Sequence, residues 1–101
     1  MTDALVVVFQ HRAAREAEAA DEWGRANRDA VPNLFASELE RTLAAIAVMP
    51  TLGAPAKSER VAEVRRVLLR KTRYHLYYRV RGNALEVLAV WHSARGVGPG
   101  L

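Results

Sequence analysis

The sequence predicts one α+β domain in which a short strand and a hairpin of two helices precede an antiparallel β-meander. Three observations lead to this prediction. A valine-rich apolar run stands near the N-terminus, two stretches of helical periodicity follow it, and the C-terminal half alternates charged residues with β-branched and aromatic ones. A length of 101 residues fits a single domain of this kind.

The first strand is predicted over residues 5–9, LVVVF, because this apolar run is too short for a helix. The period then becomes helical, and the stripe expected to face the core contains Ala13, Ala17, Ala20 and Trp23. Since most of these side chains are small, another element is expected to pack closely against this helix. The helix is predicted to end at residues 27–29, NRD.

The second helix is predicted to begin at Pro32, whose fixed φ suits a first helical turn. Its inward residues are Leu34, Phe35, Leu39, Leu43 and Ile46. Pro50, Gly53 and Pro55 end this helix and begin a loop, predicted to be irregular, that runs to about Arg60. The two helices are therefore expected to form an antiparallel pair.

The meander is predicted from three strands, Glu63–Leu69, Tyr74–Arg81 and Ala84–His92. Gly82-Asn83 is a two-residue hairpin turn, and this turn sets the register of the last two strands. The face expected under the helices pairs Val80 with Leu85, Tyr78 with Val87, Leu76 with Ala89 and Tyr74 with Trp91. Packing is the role expected for both tryptophans.

The opposite face of the meander is expected to be an open, basic and aromatic surface. The same register pairs Arg79 with Glu86, Tyr77 with Leu88, His75 with Val90 and Arg73 with His92. A turn at Lys71-Thr72 would add Leu68 opposite His75 and Arg66 opposite Tyr77. Two of the three histidines thus share this face, while His11 is expected on the surface.

The charge of the chain is unevenly distributed. Residues 1–56 hold five basic and eight acidic groups, whereas residues 57–101 hold ten basic and three acidic groups, which gives net charges of −3 and +7. Residues 65–81 contain seven Lys or Arg and no acid. This pattern favours an anionic partner, either nucleic acid or an acidic protein segment.

Composition excludes several classes of protein. The absence of cysteine rules out a disulfide scaffold, thiolate catalysis and a Cys-ligated metal. The histidines lack a paired spacing, and we expect neither a metal nor another cofactor. The N-terminal residues have an acid where a signal peptide needs positive charge, and no apolar stretch reaches membrane-spanning length, so a cytoplasmic location is expected.

The basic face has two interpretations. In one, its arginines are ordinary solvated residues on the wet side of a sheet. In the other, Arg66 and Arg73 bind a phosphate, Tyr77 stacks on a base, and His75 and His92 supply general acid and base catalysis near neutral pH. The spacing of these residues does not decide between the two.

The order of these segments resembles the RelE/ParE toxin family of bacterial type II toxin–antitoxin modules. The resemblance rests on VVVF, a helical hairpin ending in MPTLGAP, then VRRVLLRKTRYHLYYRV and VLAVWHSARG, and it covers essentially the whole chain. It implies a RelE/ParE-like α+β fold, with the N-terminal strand and two-helix hairpin packed on a curved antiparallel sheet. It also implies one toxin domain over residues 1–101 and a cognate antitoxin that holds the toxin inactive. Three glycines and a proline in residues 96–101 predict a flexible tail.

The family contains two activities, and the resemblance bears on the choice. RelE-like members cut mRNA on the ribosome with lysine and arginine side chains and a C-terminal tyrosine, or a histidine with a glutamate. Here His75 and Ser93 stand where arginines are expected, Leu68 stands where a lysine is expected, and no tyrosine follows Tyr78. Arg66 falls on a basic position, and His92 can replace a terminal histidine. The resemblance therefore favours the ParE-like branch, which poisons DNA gyrase in its cleaved-DNA state and uses no catalytic residue.

Two alternatives remain open from the sequence. A ribosome-dependent mRNA endonuclease would use His75, His92, Arg66 and Arg73, and a non-toxic adaptor would bind RNA or the ribosome. For the gyrase-poisoning toxin, the expected contacts are the C-terminal strand and tail and the basic surface. Candidate binding residues are Arg65, Arg66, Arg73, His75, Tyr77, Arg79, His92 and Arg95.

Overall fold

Two helices pack on one face of a five-stranded sheet in the computed structural model, which describes residues 3–101. The predicted domain begins with Met1 and Thr2, which lie outside the described residues. The elements, in chain order, are β1 Val6–Phe9, α1 His11–Asn27, α2 Leu34–Val48, a 3₁₀ turn Pro50–Leu52, β2 Ala54–Pro55, β3 Arg65–Leu69, β4 Tyr74–Arg81 and β5 Ala84–His92. Within residues 3–101, no helix has both the length and the apolar character needed to cross a membrane. The predicted α+β class is confirmed.

The sheet has the strand order β1-β5-β4-β3-β2. The predicted antiparallel meander forms its centre, because β3, β4 and β5 pair in sequence. β1 joins the far edge parallel to β5, so the complete sheet is mixed. The segment predicted as an irregular loop contains the 3₁₀ turn and the two-residue strand β2, which pairs with the start of β3.

The main core lies between the helices and the sheet. Ala13 and Ala20 of α1 are buried, which brings this helix close to the sheet as the small side chains predict. From α2, Phe35 and Ile46 are almost fully buried, and each contributes about 1.5–3 kcal/mol by leaving water. The strands contribute Leu69, Leu76, Tyr78, Leu85, Val87 and Val90.

The prediction that Trp23 faces the core is wrong. Its side chain is 53% exposed, and the Arg28 guanidinium lies 4.9 Å from the centre of its ring. The buried stripe of α1 continues from Ala20 to Gly24, four residues on, which leaves position 23 at its margin. His11, by contrast, is exposed as predicted.

A β-bulge in the β4–β5 hairpin changes the predicted register. The pairs next to the turn, Val80 with Leu85, Arg79 with Glu86 and Tyr78 with Val87, are confirmed. Beyond the bulge the observed pairs are Tyr77 with Ala89, Leu76 with Val90, His75 with Trp91 and Tyr74 with His92. The predicted pairs Tyr77–Leu88, Leu76–Ala89, His75–Val90, Tyr74–Trp91 and Arg73–His92 are therefore wrong.

The bulge also changes which side chains share a face, since one inserted residue exchanges the two faces of the strand that follows. His92 lies on the helix side, where its ring meets that of Tyr74 edge to face at 4.9 Å. Trp91 lies on the opposite side with His75. The prediction that His75 and His92 share one face is wrong for this reason.

The β3–β4 connection is longer than predicted, although the predicted pairs Arg66–Tyr77 and Leu68–His75 are confirmed. The last pair of the two strands is Leu69 with Tyr74, which leaves four residues, 70–73, in the turn. Arg73 therefore belongs to the turn. Its φ of 69° is left-handed, and its N–H donates to the Leu69 carbonyl over 2.7 Å.

The sheet face opposite the helices is partly covered, so the prediction of an open face is wrong in this part. A second apolar cluster of Val64, Tyr77, Leu88 and Ala89 lies there. Ala56 and Val61 of the 56–64 loop, Trp91 of β5 and Leu101 at the chain end pack against it. We call residues 93–101 the C-terminal strap, because they return from the end of β5 to this cluster.

Candidate functional site

The predicted binding residues do not form one continuous surface. Two of them make internal contacts. Arg65 donates through Nη1 to the Gly53 carbonyl over 2.7 Å, and Arg79 donates through Nε to the Glu86 carboxylate over 2.8 Å in a largely buried ion pair. Both guanidiniums are thus occupied in holding the sheet and its flanking loop together.

Tyr77 is a core residue of the second cluster, with 7% of its surface exposed. Its ring meets His75 edge to face, with 6.3 Å between the centroids. Because its faces are covered, it does not present the stacking surface that a nucleic acid base would need.

His75 forms a group with Arg66 and Arg73. Partial burial lowers the pKa of the His75 imidazole, and the nearby charges of Arg66, Arg73 and His92 lower it further, so the ring is neutral at neutral pH. Its Nδ1 is buried and has no hydrogen-bond partner among residues 3–101. Arg66 and Arg73 are exposed beside it.

His92 has different surroundings. Its Nδ1 accepts a hydrogen bond from the Ala94 N–H over 3.0 Å, and its ring lines a small cleft with Glu16, Trp23 and Arg95. Alternate residues of neighbouring strands point to opposite faces of a sheet, so His75 and His92 cannot approach one substrate from the same side.

Trp91 connects the sheet to the C-terminal strap. The guanidiniums of Arg12 and Arg95 lie 5.6 and 4.0 Å from its ring centre, and its Nε1 donates to the Val97 carbonyl over 2.7 Å. A cavity of about 650 Å³ lies between the 56–63 loop and residues 98–101, with Tyr77 in its wall. Arg12 was missed in the sequence, because nothing local indicates that α1 begins beside the end of β5.

Sequence reasoning also missed Glu38 on α2, a buried acid that shapes the basic region. Its carboxylate accepts hydrogen bonds from the Lys71 N–H at 2.7 Å, the Thr72 N–H at 3.0 Å and the Thr72 hydroxyl at 2.7 Å. Burial raises the pKa of Glu38, but these hydrogen bonds and the Lys71 charge together bring the pKa below its ordinary value. Its place between Phe35 and Leu39, on the inward stripe of α2, was the signal that could have revealed it.

Within the part of the chain that the structure describes, no three His, Asp or Glu side chains are arranged to hold a metal ion. Three basic surfaces remain available for binding a partner. They are Arg66 and Arg73 beside His75, the turn between β3 and β4, and the C-terminal strap with Arg95.

The architecture, a two-helix hairpin on one face of a five-stranded mixed sheet, is shared with a protein of known structure. A solved structure described as "Chromosomal ParDE TA system from P. aeruginosa" has a similar fold, with a TM-score of 0.66 and 17% sequence identity over 88% of this chain and 96% of that chain. The sequence model of the family described as "ParE toxin of type II toxin-antitoxin system, parDE" matches residues 7–97, so the chain belongs to the ParE toxin family. No curated protein sequence matches the chain significantly.

Proposed function

We propose that this chain is the cytoplasmic toxin of a type II toxin–antitoxin pair, that it stops growth by binding and poisoning DNA gyrase, and that a cognate antitoxin neutralises it. The observation that carries the proposal is the family match over residues 7–97. The resemblance to the ParE-like branch supplies the target, and the site geometry favours action by binding.

The geometry gives little support to nuclease activity. His75 and His92 lie on opposite faces of the sheet, so they are not placed as an acid–base pair. The Tyr78 hydroxyl is also unavailable, since it donates to the Pro50 carbonyl over 2.6 Å and accepts from the Gly53 N–H over 2.9 Å. With Leu68 and Ser93 at two positions where basic residues are expected, a catalytic set is not assembled.

The proposed contacts with gyrase lie at the C-terminal end of β5. The strap leaves β5 at His92 and is fixed by the hydrogen bond from Trp91 to the Val97 carbonyl. Arg95 adds an exposed cation there, and two more are added by Arg73 in the turn between β3 and β4 and by Arg66 near the start of β3. A protein can use these groups for binding without any proton transfer.

The test combines purified gyrase, supercoiled plasmid, ATP and the purified chain. We expect linear plasmid to accumulate after detergent and protease treatment, since a poisoned gyrase leaves its DNA cleaved. A type I topoisomerase in place of gyrase is the control and should yield no linear product. Cells with gyrase that resists the toxin should survive its expression.

The His75→Ala, His92→Ala double variant distinguishes poisoning from RNA cleavage. A gyrase poison should keep most of its toxicity in this variant. General acid and base groups typically contribute about 10²–10⁴-fold each, so an endonuclease should lose toxicity by orders of magnitude. Cuts at fixed codon positions in ribosome-bound mRNA, without linear plasmid in the gyrase reaction, would overturn the proposal.

A further inference from the structure

The turn between β3 and β4, residues 70–73, presents three cations on a fixed backbone; we call it the basic turn. Arg70, Lys71 and Arg73 are exposed, whereas Thr72 between them is only 2% exposed and points inward. The turn therefore has a buried anchor and an outer surface made of positive charge.

Three sets of hydrogen bonds hold the basic turn. Glu38 accepts from both Lys71 and Thr72. The Arg73 N–H closes the turn on the Leu69 carbonyl, and the Arg73 carbonyl accepts from the Ser93 N–H over 2.8 Å. A turn tied on both sides loses little backbone freedom when a ligand binds, which lowers the entropic cost of binding.

Glu38 offsets part of the positive charge of the basic turn through its interaction with Lys71, but no ion pair within residues 3–101 holds the side chains of the turn. The ion pairs within residues 3–101 join Arg12 to Glu16, Arg25 to Asp21 and Arg79 to Glu86, and none involves the turn. The Glu38 carboxylate accepts hydrogen bonds from backbone N–H groups and a hydroxyl, and it forms no ion pair with a cationic side chain of the turn. Arg41 lines a cleft with Arg70 and Lys71, and Arg66 and Arg73 both act on His75, so the positive field extends beyond the turn.

The backbone of Arg73 is unusual for an arginine. Its φ of 69° lies in the left-handed region, which costs a residue with a Cβ about 1–2 kcal/mol and would suit glycine better. Two backbone hydrogen bonds, from the Arg73 N–H to the Leu69 carbonyl and from the Ser93 N–H to the Arg73 carbonyl, hold the residue in this conformation.

The surface fits duplex nucleic acid better than protein or single strands. Protein interfaces centre on aromatic or apolar anchors, and the exposed side chains of the turn include none. Single strands need exposed aromatic rings on which bases stack, but Tyr74 is half-buried against Phe35 and Tyr77 is covered. Arginine and lysine on an exposed turn suit phosphates, because about half to two-thirds of the hydrogen bonds between proteins and DNA go to phosphate and sugar oxygens.

We propose that the basic turn binds the phosphate backbone of duplex DNA without regard to sequence, so that the toxin holds the DNA as well as the enzyme in the poisoned gyrase complex. The binding of free duplex stands on the turn itself, while its place in the gyrase complex rests on the function proposed above. Each phosphate contact releases counterions, so affinity should fall as salt rises.

The test measures the anisotropy of a fluorescent duplex of mixed sequence against the concentration of the purified chain. With three phosphate contacts, log K should fall against log salt with a slope of about −2.7, which is about 40-fold between about 50 and about 200 mM salt. The triple variant Arg70→Gln, Lys71→Gln, Arg73→Gln should lose this slope. The matched control Arg15→Gln, Arg60→Gln, Arg81→Gln removes equal charge from exposed positions elsewhere and should keep it.

Equal loss of duplex binding in both triple variants would overturn the proposal, because general charge would then explain the binding. Tighter binding to a single strand of the same sequence, or to poly-glutamate, would also overturn it. The gyrase reaction separates the two proposals. If a turn variant loses duplex binding but keeps its full ability to poison gyrase, the proposed DNA contact in the gyrase complex is refuted and the gyrase target is not. If the wild-type chain binds duplex but does not poison gyrase, the gyrase target is refuted and the binding of free duplex is not.

Discussion

At the scale of single residues, the shape of the basic surface depends on one buried acid. Glu38 is ionised in a largely apolar position, and three hydrogen bonds compensate for its burial. A carboxylate that accepts this many hydrogen bonds stabilises the ionised form. Glu38 therefore joins α2 to the basic turn and sets the direction in which the cations of that turn point.

We predict that Glu38→Gln lowers the free energy of unfolding by about 1.5–3 kcal/mol, the range for a hydrogen bond to a charged group. The side chain of glutamine places an NH₂ group, which is itself a donor, against at least one of the donors from which Glu38 accepts a hydrogen bond, so that bond is lost. Urea denaturation near neutral pH measures the loss. Glu40→Gln, at an exposed position of the same helix, is the control and should change stability by less than about 0.5 kcal/mol.

The same carboxylate gives a prediction about pH. Because the pKa of Glu38 is lower in the folded chain than its ordinary 4.5, the unfolded chain binds more protons, and stability falls as pH drops below 4.5 towards the folded pKa. The Glu38→Gln variant should lose less stability than the wild type over this range. Parallel curves for the two proteins below pH 4.5 would contradict the role assigned to Glu38.

At the scale of elements, the sequence predicted what local signals determine. The period of α2, the Gly82-Asn83 turn and the three meander strands each carry their own signal, and all were confirmed, except that the first of these strands begins at Arg65 and not at Glu63. The bulge has no such signal, because Tyr77, Tyr78 and Leu88 are all ordinary strand residues. That single inserted residue moved His92 to the helix face and separated the two histidines of the predicted site.

The C-terminal strap is a second feature that the sequence predicts only in part, because its position depends on contacts that are not local. Glycines and a proline predict a loose tail over residues 96–101, and this flexibility stays a prediction. Only the tertiary structure places Leu101 against the second cluster and the Val97 carbonyl within reach of Trp91. Contacts between residues far apart in the chain leave no periodic pattern for sequence reasoning to detect.

We predict that deletion of Gly96–Leu101 keeps the fold but reduces toxicity. Loss of the half-buried Leu101 should cost about 1 kcal/mol, roughly half the value of a fully buried leucine. In a Trp23→Phe background, Trp91 is the single fluorophore, and its emission should shift to the red once the strap no longer covers it. Full-length Trp23→Phe protein at matched expression is the control. Equal toxicity of the two chains would exclude the strap as a contact and leave the exposed side chains of Arg66 and Arg73.

At the scale of the whole molecule, the charge is divided between two layers. The helices carry six of the eleven acids, whereas residues 65–92, which form β3, β4, β5 and their turns, carry seven bases and one acid, in keeping with net charges of −3 for residues 1–56 and +7 for residues 57–101. The alanine stripe of α1 packs on the chain's own sheet, so it is not available to a partner. The surfaces that remain for a partner include the basic layer and exposed apolar side chains such as Val48 and Met49 at the end of α2.

We predict that an acidic, partly disordered antitoxin segment folds onto the toxin and that their association slows as salt rises. The partner to test is the product of the neighbouring reading frame, expected to have a DNA-binding N-terminus and an acidic C-terminal segment. Steered association reaches about 10⁸–10⁹ M⁻¹s⁻¹ at low salt against about 10⁵–10⁶ without steering, so stopped-flow rates should drop at least tenfold with added salt.

The two triple variants show where this steering originates. If local charge complementarity at the basic turn guides the antitoxin, Arg70→Gln, Lys71→Gln, Arg73→Gln should slow association far more than Arg15→Gln, Arg60→Gln, Arg81→Gln. If net charge alone guides it, both variants should slow association equally, since both lose three positive charges. An association rate that does not depend on salt, or a chain that is a stable and harmless monomer when expressed alone in bacteria, would contradict the prediction of an acidic antitoxin.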